Sequence, residues 1–299
     1  MPHPKKSLGQ NFLTSPDIVR DIVEAGEVSP EDTILEIGPG TGMLTKALLD
    51  KVSSGTGGKV VAVEKDDRLI DELREKFGEE IRKNKLSLIH GDIADAKNIL
   101  GKAKLFEKPF KLIANIPYYI TGEILRMFLS GDHQPTSIVV LVQKEVAERI
   151  VGGRTGGTGS KSSKQGRSGK PPAQKENLLS LSVKVYGVPS YVRTVKAGAF
   201  FPKPNVDSAV LKIDKISKNF FKDISEELFF ELIHAGFAHK RKMLLGNINP
   251  FFKKIGLNPS DTVKIFEEIK LDTKIRAEDV TLEQWRNLTR LYTRRSREA

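Results

Sequence analysis

The residues best suited to chemistry are Asn115, Pro117 and Tyr118, in the tetrapeptide Asn115-Ile116-Pro117-Tyr118 that follows the apolar run Phe110–Ala114. An apolar run that stops at Asn-x-Pro-Tyr reads as a buried strand ending in a tight turn. Proline fixes its own φ and keeps Ile116 out of the helical region, so the turn is stiff. It would hold an amide and an aromatic ring side by side at the carboxyl end of a strand. In an open α/β sheet, that edge is where ligands bind. An amide oxygen accepts a hydrogen bond from an amino group while the ring stacks on a flat heterocycle. Those are the needs of an enzyme that modifies the exocyclic amine of a base. The tetrapeptide alone fits a plain strand-to-helix turn equally well, so the surrounding chain has to decide.

Leu35-Glu36-Ile37-Gly38-Pro39-Gly40-Thr41-Gly42 ends a first strand and opens a helix. Glycines in such a turn, Gly38 and Gly40 among them, let the backbone approach a ligand closely. The spacing is G-x-G-x-G, with Met43 where the third glycine of a dinucleotide fingerprint would stand. A second strand ends at Glu64, about 20 residues past the glycines, where an acid is placed to bind two ribose hydroxyls. Together they imply a nucleoside-containing cofactor and lean away from a nicotinamide dinucleotide. Asp92, after the third strand, is placed to accept a hydrogen bond from an adenine amino group, or to cap a helix. Its alignment with Glu64 and Asn115 on successive strand ends favours the ligand.

These residues need a sheet to line them up, and the chain supplies one. Apolar runs at Thr33–Ile37, Lys59–Glu64, Leu86–His90, Phe110–Ala114 and Ser137–Val142 alternate with helical patterns at Leu44–Lys51, Asp67–Phe77 and Gly122–Leu129. Strands that are apolar throughout and separated by helices indicate a parallel sheet covered on both faces. Two later runs, Val192–Ala197 and Val206–Ile213, lack a long helix between them and are expected to pair antiparallel at one edge. After residue 218 the pattern turns helical, at Glu226–Ala238, Lys240–Asn247, Asp261–Ile269 and Leu282–Tyr292. The expected organisation is an α/β domain over 1–217, carrying a basic flexible insert at 152–175, and a small helical domain over 218–299.

The chain of 299 residues has 38% hydrophobic and 29% charged residues, the balance of a globular protein with a real core. No apolar run approaches the roughly 20 residues of a membrane span. The first residues lack an apolar stretch, so no secretory signal is expected. The absence of cysteine excludes disulfides, thiolate metal sites and a cysteine nucleophile. The five histidines are scattered without H-x-x-H spacing, so no metal is expected, and a cytoplasmic setting fits. The net charge of +11 is concentrated. Residues 152–175 carry six basic residues and no acid; residues 239–254 carry five, with Lys240, Arg241 and Lys242 contiguous. Such concentration indicates a polyanion partner.

The combination resembles S-adenosylmethionine-dependent methyltransferases, and more narrowly the rRNA adenine N6,N6-dimethyltransferase family, the KsgA-like enzymes. Leu8-Gly9-Gln10-Asn11-Phe12-Leu13 is similar to the family's N-terminal block, and Gln143-Lys144-Glu145-Val146-Ala147-Glu148-Arg149 to its helix start. Phe200-Phe201-Pro202-Lys203-Pro204-Asn205-Val206-Asp207-Ser208 resembles its F-x-P-x-P-x-V-D-S segment, and Phe237-Ala238-His239-Lys240-Arg241-Lys242 its basic helix. The blocks run in family order from residue 8 to about 247.

The resemblance implies a Rossmann-like methyltransferase sheet, mostly parallel with one antiparallel edge strand, and S-adenosyl-L-methionine as cofactor. Asn11 and Leu13 would close over the cofactor, Gly38 would approach its methionine part, Glu64 would hold the ribose, and Asp92 the adenine. Asn115 would lie between cofactor and substrate. The target adenine would stack on Tyr118, with Phe200 covering its other face. The implied substrate is a pair of adjacent adenosines near the 3′ end of small-subunit rRNA, met within a pre-ribosomal particle by a monomeric enzyme. A large-subunit rRNA target, or a non-catalytic assembly factor, are the competing readings. The chain departs from the family at Tyr119, where asparagine is usual, and in the long basic insert.

Overall fold

The computed structural model describes residues 3–95, 100–101, 105–152 and 175–298. They divide into two compact units, one of Met1–Glu148 with Gly187–Ile216 and one of Arg149–Tyr186 with Ser217–Ala299. Of the basic insert expected at 152–175, residues 153–174 lie outside the described residues. Among the described residues, no helix is long and apolar enough to cross a membrane.

The first unit begins with β1 (Phe12–Leu13) and α1 (Pro16–Ala25), then alternates β2 (Thr33–Ile37), α2 (Met43–Val52), β3 (Lys59–Glu64), α3 (Asp67–Lys76), α4 (Gly78–Arg82) and β4 (Leu86–His90). It continues through β5 (Phe110–Asn115), α5 (Thr121–Ser130), β6 (Ser137–Gln143) and the start of α6 (Lys144–Val151). After α7 (Leu178–Lys184), which lies in the second unit, the chain returns with β7 (Val188–Val195), β8 (Phe200–Phe201) and β9 (Ser208–Asp214).

Seven strands form one sheet in the order β4-β3-β2-β5-β6-β9-β7. The first five pair in parallel; β9 runs against β6, and β7 pairs antiparallel with β9. The apolar strands form because both faces are covered: Ile34, Val61, Leu112, Ile113, Val139 and Leu141 are fully buried. Each such side chain contributes about 1.5–3 kcal/mol by leaving water. The order reverses between β2 and β5, so their carboxyl ends splay apart and open a crevice. β1 pairs separately with β8, Phe12 opposite Phe201 and Leu13 opposite Phe200.

The second unit contains α8 (Glu226–Gly236), α9 (Leu244–Lys253), α10 (Pro259–Glu268) and α11 (Leu282–Glu298), packed around the buried rings of Trp285, Phe229, Phe252 and Phe266. Ser225 accepts a hydrogen bond from the Leu228 amide and starts α8, and Asn258 with Asp261 forms a capping box on α10.

Two expectations change here. Arg149–Tyr186 groups with the helical tail, although the sequence placed it in one domain with the sheet. The reason is local: the Tyr186 hydroxyl donates to Glu226, and its ring packs 5.4 Å from that of Phe221. The second change concerns Lys240–Asn247, expected as a helix; α9 starts only at Leu244. Asn247 Nδ2 donates to the carbonyls of Gly236 and His239 and ties the end of α8 into a turn. Lys240, Arg241 and Lys242 therefore stand exposed on that turn.

Candidate active site

The crevice at the carboxyl ends of β2, β3 and β5 is a cavity of about 310 Å³. Gly38, at its floor, takes φ +67, and a side chain on it would meet nothing within 4 Å. That conformation is strained for any other residue, and the open space lies where a ligand would approach the backbone. Gly40 N donates to Glu64 Oε2 at 3.2 Å, and Asp66 N donates to Glu64 Oε1 at 2.8 Å. The carboxylate at the end of β3 is thus oriented by two amides and keeps lone pairs for two further donors. Burial pushes its pKa up, while those same amides pull it down.

Glu36, one strand over, is fully buried and lines the same cavity, and its Oε2 has no hydrogen-bond partner. Burial pushes its pKa up to about 8; the Thr45 hydroxyl offsets this in part, and the Glu64 carboxylate adds to it. Asp92 also lines the cavity, and it caps as well. Its Oδ1 accepts from Ala94 N at 3.0 Å and its Oδ2 from Lys65 Nζ at 2.6 Å, and the lysine holds its pKa down.

Asn115 ends β5, and its Nδ2 donates to the Asn11 carbonyl at 3.1 Å. With the nitrogen so engaged, Oδ1 is the free end of the amide. Pro117 and Tyr118 follow on the cavity wall, and the Tyr118 hydroxyl shares a 2.6 Å hydrogen bond with Ser208. Burial raises the phenol's pKa, so it stays neutral.

Leu8 to Leu13 form a strap across the cavity, with Asn11 and Leu13 both in its lining. A buried carboxylate holds it. Asp66 receives Lys5 Nζ at 2.9 Å and Gln10 Nε2 at 2.9 Å, beside a bidentate contact from Arg68. Arg68 above all, then Lys5 and Gln10, keep its pKa far below the usual carboxylate range. Tyr119, the departure from the family pattern, is 63% exposed, and its ring lies 3.1 Å from where a Gly9 side chain would begin. Glycine lets the strap pass beneath the ring.

The structure brings together Asn11, Leu13, Gly38, Gly40, Glu64, Asp92, Asn115, Pro117 and Tyr118. It does not bring Phe200, which is 4% exposed and sits in the hydrophobic core with Leu13, Val195 and Val210. Side chains alternate along even a two-residue strand, and on β8 the outward ring is Phe201, 51% exposed. Lys240, Arg241 and Lys242 belong to the second unit. Asp66, Gln10 and Ser208 were not singled out from sequence. Gln10 and Ser208 lie in blocks the sequence singles out, which name no partner for them, and Asp66 lies in none.

A doubly wound sheet with a glycine turn, an acid at the end of β3 and Asn-x-Pro-Tyr at its switch point defines a Rossmann-like methyltransferase. The model for "Ribosomal RNA adenine dimethylase" matches residues 2–294, and the chain belongs to that family. It is 40% identical over 290 residues to the ribosomal RNA small subunit methyltransferase A of Dehalococcoides mccartyi, covering 96% of this chain and 88% of the relative. A dimethyladenosine transferase from Plasmodium falciparum superposes with a TM-score of 0.72 at 22% identity, covering 95% and 98% of the two chains. The 23S rRNA methyltransferase ErmE does so with 0.67 at 22% identity, covering 94% and 99%. The chain is accordingly an S-adenosyl-L-methionine-dependent rRNA adenine dimethyltransferase.

Proposed function

We propose that the enzyme dimethylates N6 of two adjacent adenosines near the 3′ end of small-subunit rRNA, acting as a monomer on a cytoplasmic pre-ribosomal particle. The observation that carries the chemistry is the Asn115 amide, locked by the Asn11 carbonyl and flanked by Tyr118 in the cavity that also holds Glu64.

The residues fit the cofactor. Gly38 leaves open space at its backbone, Glu64 keeps acceptor capacity for a ribose, and Glu36 offers a buried oxygen without a partner. Gly38, Gly40, Glu64 and Asp92 would hold it beneath Asn11 and Leu13. When bound, the cofactor supplies an electrophilic methyl group on its sulfonium sulfur.

An aromatic amine is a poor nucleophile because its lone pair is delocalised into the ring. Asn115 Oδ1 and the Ile116 carbonyl accept the two N6 hydrogens, which favours a pyramidal nitrogen with its lone pair directed at the methyl. Transfer would be an in-line displacement, the C–N bond forming as the sulfur–methyl bond breaks and leaves its electron pair on sulfur, and the surplus proton would leave the nitrogen for solvent afterwards. No base of matched pKa is required; positioning and stabilisation of developing charge supply the rate. Extruding the base costs a few kcal/mol, and stacking on Tyr118 returns about 1–3 kcal/mol. Lys240, Arg241 and Lys242 take up rRNA phosphates.

The test is Asn115→Ala and Tyr118→Ala, assayed for methyl transfer to small-subunit particles, with modified adenosines mapped by mass spectrometry. Undiminished transfer by both variants would overturn the assignment. Calorimetric titration with S-adenosylmethionine excludes the non-catalytic reading if the wild type binds it.

A further inference from the structure

Ser208 is buried completely, yet its hydroxyl meets a residue 90 positions away at the mouth of the active site, the phenol of Tyr118. Tyr118 opens a short 3-10 turn, Tyr118–Ile120, directly after Pro117. Such a turn fixes the backbone, but it leaves the ring free to rotate about two side-chain bonds. Ser208 is the opposite kind of residue. It opens β9 and pairs in register with Gln143 of β6 and with Val195 of β7, so strands on both sides hold its backbone.

The residue before it is as firmly tied. Asp207 Oδ1 accepts from Ala197 N at 3.1 Å, its Oδ2 accepts from Lys196 Nζ at 2.8 Å, and its carbonyl accepts from Lys144 N at 3.0 Å. Consecutive side chains in extended backbone point opposite ways. Asp207 thus fastens the loop that leads into Phe200–Phe201, and Ser208 fastens the turn that carries Tyr118.

We propose that Ser208 is a positioning residue for the target base: its hydroxyl sets the plane of the Tyr118 ring, so that the stacking face is formed before RNA arrives. This rests on the reading that Tyr118 stacks the target adenine. A ring held in one orientation binds the extruded base without first losing rotational freedom. Alanine at 208 would keep the sheet and take away the anchor. Phenylalanine at 118 would keep the stacking surface and remove the same hydrogen bond from the other side.

The experiment is a double-mutant cycle of Ser208→Ala and Tyr118→Phe on methyl transfer to small-subunit particles, with Tyr118→Ala as reference. Each single variant is expected to lower kcat/KM for RNA about tenfold, the scale of one lost hydrogen bond. The double variant should lose the same tenfold and no more, because both changes remove one interaction. The Kd for S-adenosylmethionine should stay at the wild-type value in all three. Ser208→Thr, which keeps a hydroxyl, should recover activity. Full activity of Ser208→Ala beside an inactive Tyr118→Ala would overturn this proposal and leave the stacking reading standing. Multiplicative losses in the double variant would overturn it as well. Full activity of Tyr118→Ala would overturn the stacking reading and this proposal with it. If Ser208→Ala fails to fold, Tyr118→Phe with wild-type kcat/KM is by itself sufficient to reject the anchor.

Discussion

Gln10 donates a 2.9 Å hydrogen bond to Asp66, 56 residues further along the chain, and so fastens the strap over the cofactor cavity to the turn that carries Glu64. The same carboxylate receives Lys5, and its own backbone amide donates to Glu64 Oε1. The strap and Glu64 are therefore wired through one residue. Gln10→Ala should weaken S-adenosylmethionine binding about tenfold, the scale of one lost hydrogen bond to a charged group, and Lys5→Ala should weaken it in the same direction. Calorimetry reads this directly, and unchanged affinity in both would mean that the strap closes without the lock.

The two adjacent phenylalanines should separate stability from activity. Phe200→Ala empties a core position and is expected to cost about 3–5 kcal/mol in denaturant unfolding. Phe201→Ala removes a half-exposed ring and should leave the unfolding midpoint unchanged. If the outward ring covers the target base, Phe201→Ala lowers methyl transfer while cofactor affinity holds. Wild-type transfer by that variant would deny Phe201 the role.

Glu36 makes a pH prediction with a definite sign. Its folded pKa of about 8 lies above the ordinary 4.5. The group therefore contributes stability in full below its unfolded pKa, and that contribution is lost as the pH rises through about 8. Glu36→Gln removes the buried charge, so its gain in Tm over wild type should grow between about pH 4.5 and about pH 8 and level off above. A gain that does not vary with pH would show that the carboxyl titrates normally.

Lys240, Arg241 and Lys242 stand on a turn held by Asn247, with no ion pair to an acid among the described residues. Replacing them with alanine should weaken RNA binding uniformly across sequences. The dependence of log affinity on log salt should flatten by about 1 for each phosphate that is no longer neutralised. The methylated positions should not move, and a shifted target would contradict a purely electrostatic role.

Much of the scaffold was readable because its signals are local. β2 and β3 have the bounds that their apolar runs indicate, since strands buried on both faces need unbroken hydrophobicity, and the edge strand β4 keeps its bounds with only Leu86 buried. Glu64, Asp92 and Asn115 could be aligned because each ends such a run. The strap lock and the Tyr118–Ser208 bond were not readable, because each pairs polar side chains far apart in sequence that match many partners equally well. The burial of Phe200 was not readable for another reason. On a strand of two residues, nothing local says which ring faces inward, and the choice follows from pairing with β1. Lys240–Asn247 has helical composition, but the Asn247 side chain claims the end of α8 and delays the next helix to Leu244.

The detour of the chain through the second unit has a consequence for biosynthesis. β6 pairs with β5 as soon as it emerges, but its other edge waits for β9, about 65 residues later. At roughly 5–20 residues per second, a nascent chain presents that apolar edge, Ile138 to Val142, for several seconds. Open apolar strand edges template pairing with other chains. The ribosome-modifying enzyme is thus most prone to aggregate while it is still on the ribosome, and shortening the Arg149–Tyr186 excursion should narrow that window.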